Sequence, residues 1–169
     1  FLASAIERGA CAYLCPNDAA ILEQLELVAP GTPHIVASDV RRAMALVAPV
    51  IYQHPEQALD IVGITGTKGK STVAYMLRSI LLAAGETPSV LGSIETDDGI
   101  EHYESHNTTP EAPELWRHLW NSVKSGRRHM VMEVSSQGLK YDRVLGVPLS
   151  LGVFLNIGRD HISGVETPT

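Results

Sequence analysis

Ile61-Val62-Gly63-Ile64-Thr65-Gly66-Thr67-Lys68-Gly69-Lys70-Ser71-Thr72 decides how this chain is read. A short apolar run, Ile61 to Ile64, has the look of a buried strand. A glycine-rich turn follows it and opens a helix, the setting a phosphate-binding loop requires. Gly66 and Gly69 permit positive φ and close approach of the backbone. Successive N–H groups and a helix N-terminus then face an anion. Lys70 brings a point charge to the β- and γ-phosphates of a nucleotide, and the Ser71 hydroxyl suits Mg²⁺. The strict pattern G-x-x-x-x-G-K-[ST] wants glycine at position 64, where this chain has Ile64, with Gly63 one place earlier. The plain alternative is a glycine turn with an incidental lysine, but Gly-Lys-Ser at a strand-to-helix junction argues against it.

Working outward, Val73, Met76, Leu77, Ile80, Leu81 and Ala84 mark one face of a helix that Gly85 ends. Ser89 to Gly92 reads as the next strand. Residues 93–106 are polar and acidic, a hairpin or excursion around Asp97-Asp98-Gly99. Glu111 to Ser125 reads as a helix with Leu115, Leu119 and Val123 inward. His129 to Val134 and Leu151 to Leu155 are further strands. Strands alternating with helices imply a mostly parallel, doubly wound sheet, which takes ligands at its carboxyl edge.

Upstream lies a smaller α/β unit. A helix end stops at Gly9, Ala10 to Leu14 is a strand, Ala19 to Leu27 a helix, and His34 to Ala37 a strand. Ser38 or Asp39 caps a helix with Val40, Ala43, Met44 and Val47 on one face, and Pro49 bends or ends it. The fold class is therefore α/β: a small N-terminal unit over residues 1–55, then a P-loop sheet domain over 56–169. The boundary falls near Tyr52-Gln53-His54-Pro55.

Composition narrows the partners. The 169 residues carry 13 Lys+Arg against 19 Asp+Glu, a net charge of -6, and are 44% hydrophobic. This is a globular composition. The acidic balance argues against general binding to nucleic acid or anionic membranes. No apolar run reaches the roughly 18 residues a membrane span needs. Phe1 to Arg8 lacks the form of a signal peptide and there is no initiator Met, so the chain is expected to begin inside a longer protein. Cys11 and Cys15 are too few for a disulfide framework, and cytoplasm is the default compartment. Oligomeric state is not legible.

Other residues can carry chemistry. Glu133 closes an apolar strand, where a carboxylate can meet Mg²⁺; an exposed strand-end glutamate is the alternative. Asp160-His161 follows the last strand at the same sheet edge, and neutral imidazole suits a second divalent ion. Asn107-Thr108-Thr109-Pro110 offers amide and hydroxyl donors to a polar substrate. Equally, Thr108 or Thr109 could cap a helix with Pro110 at its first position. Ser135-Ser136 is ambiguous in the same way. Arg143 is a surface residue or an anion clamp. Trp116 and Trp120, four apart, read as packing. The remaining histidines (34, 54, 102, 106, 118 and 129) show no ligand spacing and read as surface or satisfied groups.

Together these strings resemble the Mur ligase family, nearest to the MurE-type UDP-N-acetylmuramoyl-peptide synthetases. The family's phosphate loop is similar to Thr65 to Thr72 and also lacks the strict first glycine. Tyr52 to Pro55, Asn107 to Pro110, Met132 to Ser136 and Asn156-Ile157-Gly158-Arg159-Asp160-His161 each resemble its motifs in order. The resemblance implies that residues 1–55 are the later part of a uridine-binding domain and the rest the first half of a central ATPase domain. It implies ATP phosphates on Gly66, Thr67, Lys68, Gly69, Lys70, Ser71 and Thr72. It implies Mg²⁺ on Ser71 and Glu133, with His161 holding a second ion, and Lys70, Glu133 and His161 as catalytic residues. Asn107, Thr108, Thr109, Ser135, Tyr141 and Arg143 would contact UDP-MurNAc-dipeptide. The family usually has histidine at Gln137 and often glutamine at Tyr141.

The implied reaction joins an amino acid, meso-diaminopimelate or L-lysine, to UDP-MurNAc-L-Ala-D-Glu through an acyl phosphate, in peptidoglycan synthesis. The part that chooses the amino acid lies beyond Thr169 in the family, so this stretch alone is expected to be inactive. The competing readings are a folylpolyglutamate-synthase-like ligase, disfavoured by Asn107 to Pro110, and a nucleotide-dependent binding module.

Overall fold

The structure, a computed structural model, describes residues 1–158. In chain order the elements are α1 (Leu2–Glu7), β1 (Tyr13–Pro16), α2 (Ala19–Val28), β2 (His34–Ala37) and α3 (Val40–Ile51). After a 3-10 turn at Pro55–Ala58 come β3 (Asp60–Thr65), α4 (Lys70–Ala83), β4 (Ser89–Leu91), β5 (Glu95–Asp97) and β6 (His102–Glu104). The last elements are α5 (Ala112–Lys124), β7 (His129–Glu133), α6 (Ser136–Lys140) and β8 (Leu151–Phe154). The expected elements are all present, with boundaries shifted by a few residues.

The main sheet has the order β6-β5-β4-β7-β3-β8. β4, β7, β3 and β8 run parallel, while β5 and β6 fold back antiparallel as the acidic excursion. The chain leaves β3 on one side, reaches β4 two places away, and later returns through β7 to β8 on the other side of β3. That reversal puts the carboxyl end of β3 at the switch point where open α/β sheets form their crevice.

Both faces of this sheet are covered, which is why its central strands are apolar throughout instead of alternating. Ile61, Leu91, Met130 and Met132 meet Leu115, Trp116 and Leu119 of α5, with Ala45 and Ala48 of α3 behind them. On the opposite face Ile64 and Val131 meet Ala74, Val73, Leu77 and Leu81 of α4. Trp116, Leu115 and Leu119 are fully buried, and each such side chain contributes roughly 1.5–3 kcal/mol of burial. Pro49 does not end α3, which continues to Ile51. Its ring removes one bond, the one to the Ala45 carbonyl, and the helix stops two residues later.

The small β1–β2 sheet is parallel and pairs Tyr13 with His34 through Pro16 with Ala37. It is thinly covered: Ile35 and Val36 are exposed, and α2 buries none of its residues. Among the described residues no helix is long and apolar enough to cross a membrane.

Candidate functional site: a phosphate-type loop beside a buried carboxylate

The loop Gly66 to Gly69 joins β3 to α4, as the sequence suggested. Gly66 has φ +145 and Gly69 φ +90, in the region that only glycine enters cheaply. A Cβ at Gly66 would stand 3.2 Å from both N and O of Asn156. Helices α2, α3 and α6 are capped by Asp18, Asp39 and Ser135, but no side chain caps the first turn of α4. The leading N–H groups of that helix lack intrahelical partners, so α4 presents donors and the positive end of its dipole at the sheet edge. Lys70 is its first residue, and its Nζ donates to the Gly66 carbonyl at 2.7 Å. Ser71 is half-buried and Thr72 exposed in the same turn.

A brace from the end of β8 fixes the loop, and sequence reasoning did not assign it. The Asn156 side chain accepts from Lys68 N at 3.1 Å and donates to Lys68 O at 2.9 Å. Thr67 N donates to Asn156 O at 3.3 Å, and Gly158 N donates to Thr67 Oγ1 at 2.9 Å. One amide side chain thus imitates a strand partner for the loop backbone. Only the three-dimensional adjacency of β8 and β3 reveals the contact.

Glu133 ends β7, directly beside β3, in register with Ile64. It is not the exposed strand-end glutamate of the alternative, since it is 1% exposed. Ser93 holds it: Ser93 N donates to Oε1 at 2.9 Å and Ser93 Oγ to Oε2 at 3.3 Å. A Cβ at Gly92 would fall 2.4 Å from Glu133 Oε1, so glycine there leaves room for the carboxylate. A buried carboxylate with no cationic partner among the described residues, beside a loop rich in oxygen donors, fits a hard divalent cation. His161, expected to hold a second ion, lies outside the described residues.

The Asn107–Pro110 string runs beside this carboxylate. Thr108 Oγ1 is 2.9 Å from Ser93 Oγ. Thr109 is fully buried; its hydroxyl donates to Glu133 O at 3.0 Å and accepts from Ser135 N at 2.9 Å. Neither threonine caps α5, whose N-cap is Glu111, with Pro113 rather than Pro110 in the first turn. Asn107 is exposed. Ser135 caps α6 through Gly138 N at 3.0 Å, the plain role foreseen for it. Arg143 is held by the Thr109 carbonyl at 3.0 Å and by Glu111 at 2.6 Å. Tyr141, at the C-cap of α6, has the guanidinium of Arg41 over its ring at 4.6 Å. The structure therefore brings Glu133, Thr108, Thr109, Ser135 and Arg143 into one connected network, with Glu133 one strand away from the loop.

The histidines read as satisfied include His118, which is fully buried between Asp98 at 2.6 Å and Tyr103 at 3.1 Å. Asp98, Glu101 and His118 offer ligand atoms within 4.8 Å of one another. Asp98 has spent its oxygens, however, on His118, Asn121 and the N–H groups of Ile100 and Glu101. This cluster is a structural lock on the β5–β6 hairpin.

Comparison with known proteins gives the chain its family. Residues 64–168 match the family model described as Mur ligase middle domain. A UDP-N-acetylmuramoyl-L-alanyl-D-glutamate--L-lysine ligase of Streptococcus thermophilus is 40% identical over 170 residues, covering 100% of this chain and 33% of that protein. A UDP-N-acetylmuramyl-tripeptide synthetase of Lactococcus lactis subsp. cremoris is 45% identical over 139 residues, covering 81% of this chain and 29% of that protein. The chain thus spans about a third of the length of the curated relatives it matches. A solved UDP-N-acetylmuramoyl-L-alanyl-D-glutamate--2,6-diaminopimelate ligase superposes with TM-score 0.67 at 21% identity, over 92% of this chain and 35% of that one, a likeness of fold. With the matching stretch beginning in β3 and running through the loop, the carboxylate and β8, this chain belongs to the Mur ligase family.

Proposed function

We propose that this chain carries the nucleotide-binding and substrate-facing part of an ATP-dependent amide ligase of peptidoglycan synthesis. The ligase adds an amino acid to UDP-MurNAc-L-Ala-D-Glu in the cytoplasm. The observation that carries this reading is the uncapped N-terminus of α4, with Lys70 at its head and buried Glu133 on the adjacent strand. In this reading residues 1–55 belong to a uridine-nucleotide-binding domain and 56–169 to the first half of the central domain.

The chain's residues divide the work. The N–H groups from Gly66 to Thr72 and the Lys70 ammonium hold the triphosphate and stabilise charge on the transferred phosphoryl group. The substrate carboxylate attacks the γ-phosphorus and ADP leaves, giving an acyl phosphate. The incoming amine then attacks the acyl carbon, loses a proton, and inorganic phosphate leaves. Ser71, Glu133 and His161 would hold magnesium, which supplies Lewis-acid screening of phosphate charge. Thr108 and Arg143 face the UDP-linked substrate, with Asn107 and Tyr141 at the rim, while Thr109 and Ser135 keep that wall in place. The Streptococcus thermophilus relative is named for L-lysine, which is the amino acid this reading favours.

The test is phosphate release by the polypeptide carrying this sequence at its relatives' full length. Release should require UDP-MurNAc-dipeptide and an amino acid together. Steady hydrolysis of ATP without either would point to a nucleotide-driven binding module instead. Within the same protein, Asn156→Ala should weaken Mg-ATP binding about thirtyfold, the worth of two hydrogen bonds at about 1 kcal/mol apiece. Isothermal titration with a non-hydrolysable ATP analogue reads it, and an unchanged dissociation constant would deny the brace a role.

A further inference from the structure

Tyr141 is ringed by cations. Arg41 from α3 lies 4.6 Å from the ring centroid, Lys140 Nζ 5.5 Å and the Arg143 guanidinium 6.0 Å. Arg42, the next residue on α3, reaches Asp142 at 3.5 Å. Four of the chain's 13 Lys+Arg thus gather in one corner of a molecule whose net charge is -6. Two of them are neutralised, Arg143 by Glu111 and Arg42 by Asp142. Arg41 and Lys140 make no ion pair or hydrogen bond among the described residues.

Like charges drawn around one ring repel unless an anion joins them. The geometry of Arg41 is suited to taking one. A guanidinium stacked by its face keeps its N–H fork free for a carboxylate or a phosphoryl group. The corner also touches the candidate substrate wall. Arg143 donates to the Thr109 carbonyl at 3.0 Å, and its own Nε is buried with no acceptor among the described residues. Arg41 comes from a different part of the chain, on the helix that packs against α5 through Ala45 and Ala48.

We propose that Arg41, displayed on the ring of Tyr141, binds an anionic group of the UDP-linked substrate and so extends that site onto α3. This rests on the function proposed above. The ligand chemistry is a phosphoryl or carboxylate anion, from either the diphosphate or the peptide.

The experiment is calorimetric titration of the full-length protein, unaltered and as Arg41→Gln, Arg41→Ala and Arg41→Lys, with UDP-MurNAc-dipeptide and with UDP-MurNAc lacking the peptide. Gln keeps a flat group over the ring without charge. Arg41→Gln and Arg41→Ala should raise the dissociation constant for the dipeptide substrate about tenfold, as expected for losing one charge-assisted contact. They should also flatten its dependence on salt. Arg41→Lys should recover part of the affinity. Binding of a non-hydrolysable Mg-ATP analogue and the melting temperature should not move. A loss shared by both ligands assigns the diphosphate end, and a loss confined to the dipeptide assigns the peptide carboxylate. Wild-type affinity and salt dependence in Arg41→Gln would leave the stack a structural contact and overturn the proposal. Failure of the unaltered protein to take up either UDP ligand removes the parent reading instead, and this one with it.

Discussion

Lys70→Ala, in the polypeptide of full length, is expected to lower ATP-dependent ligation by about 10²–10³-fold or more, to the level of background. The ammonium belongs to the first residue of α4, and on the proposed function main-chain donors cannot replace its full charge as the phosphoryl group is transferred. Folding should be spared, because the side chain is only half-buried and its partner among the described residues is the Gly66 carbonyl. Initial rates with saturating amino acid, set beside a thermal melt, separate the two effects. Near-normal turnover in this variant would remove the phosphate-site assignment.

The second large effect concerns stability. Asp98 is fully buried. Burial alone would raise its pKa, but the hydrogen bonds from His118, the Glu101 N–H, Asn121 and the Ile100 N–H outweigh it. They hold the carboxyl at about 2, below its ordinary 3.8. A carboxyl depressed in the fold stabilises it fully above its unfolded value. That contribution, about 2 kcal/mol by linkage, should drain away as pH falls from about 4 toward 2. Asp98→Ala should cost about 3 kcal/mol or more at neutral pH, because His118, Asn121 and two backbone N–H groups lose their acceptor inside the protein. Urea unfolding at pH 7 and at pH 3 reads both parts. In Asp98→Asn the loss between those two pH values should shrink, since the titrating charge is gone. An acid response equal to that of the unaltered chain would trace it to other groups.

Much of this was legible in the residues, for reasons that differ by element. The apolar runs at Ile61 to Ile64 and His129 to Met132 announced strands buried on both faces, and the glycines between β3 and α4 announced the loop. The burial of Glu133 was not legible, because a strand-end glutamate looks the same whether water or Ser93 receives it. Thr108 and Thr109 suggested a helix cap; the helix instead starts at Ala112, and the hydroxyl of Thr109 serves a long-range bond to the end of β7. The polar inner face of α5, with His118, Asn121 and Ser122 buried, escaped a reading built on apolar periodicity. His118 and Asn121 meet Asp98 of the acidic excursion and Ser122 meets Ser89 of β4, partners that a hairpin reading of residues 93–106 does not supply. Asn156 and Arg41 escaped for the same reason: each acts on a segment far away in sequence, and their side-chain types are common on any surface.

The bond from Lys70 Nζ to the Gly66 carbonyl has a thermodynamic corollary. The ammonium is aimed and satisfied by the loop's own carbonyl, a bond that holds the turn in shape. On the proposed function, nucleotide uptake would exchange a neutral oxygen for a charged one in place. The affinity won at this position would then be the difference between those two acceptors rather than the worth of a whole new contact, with little reordering of the turn.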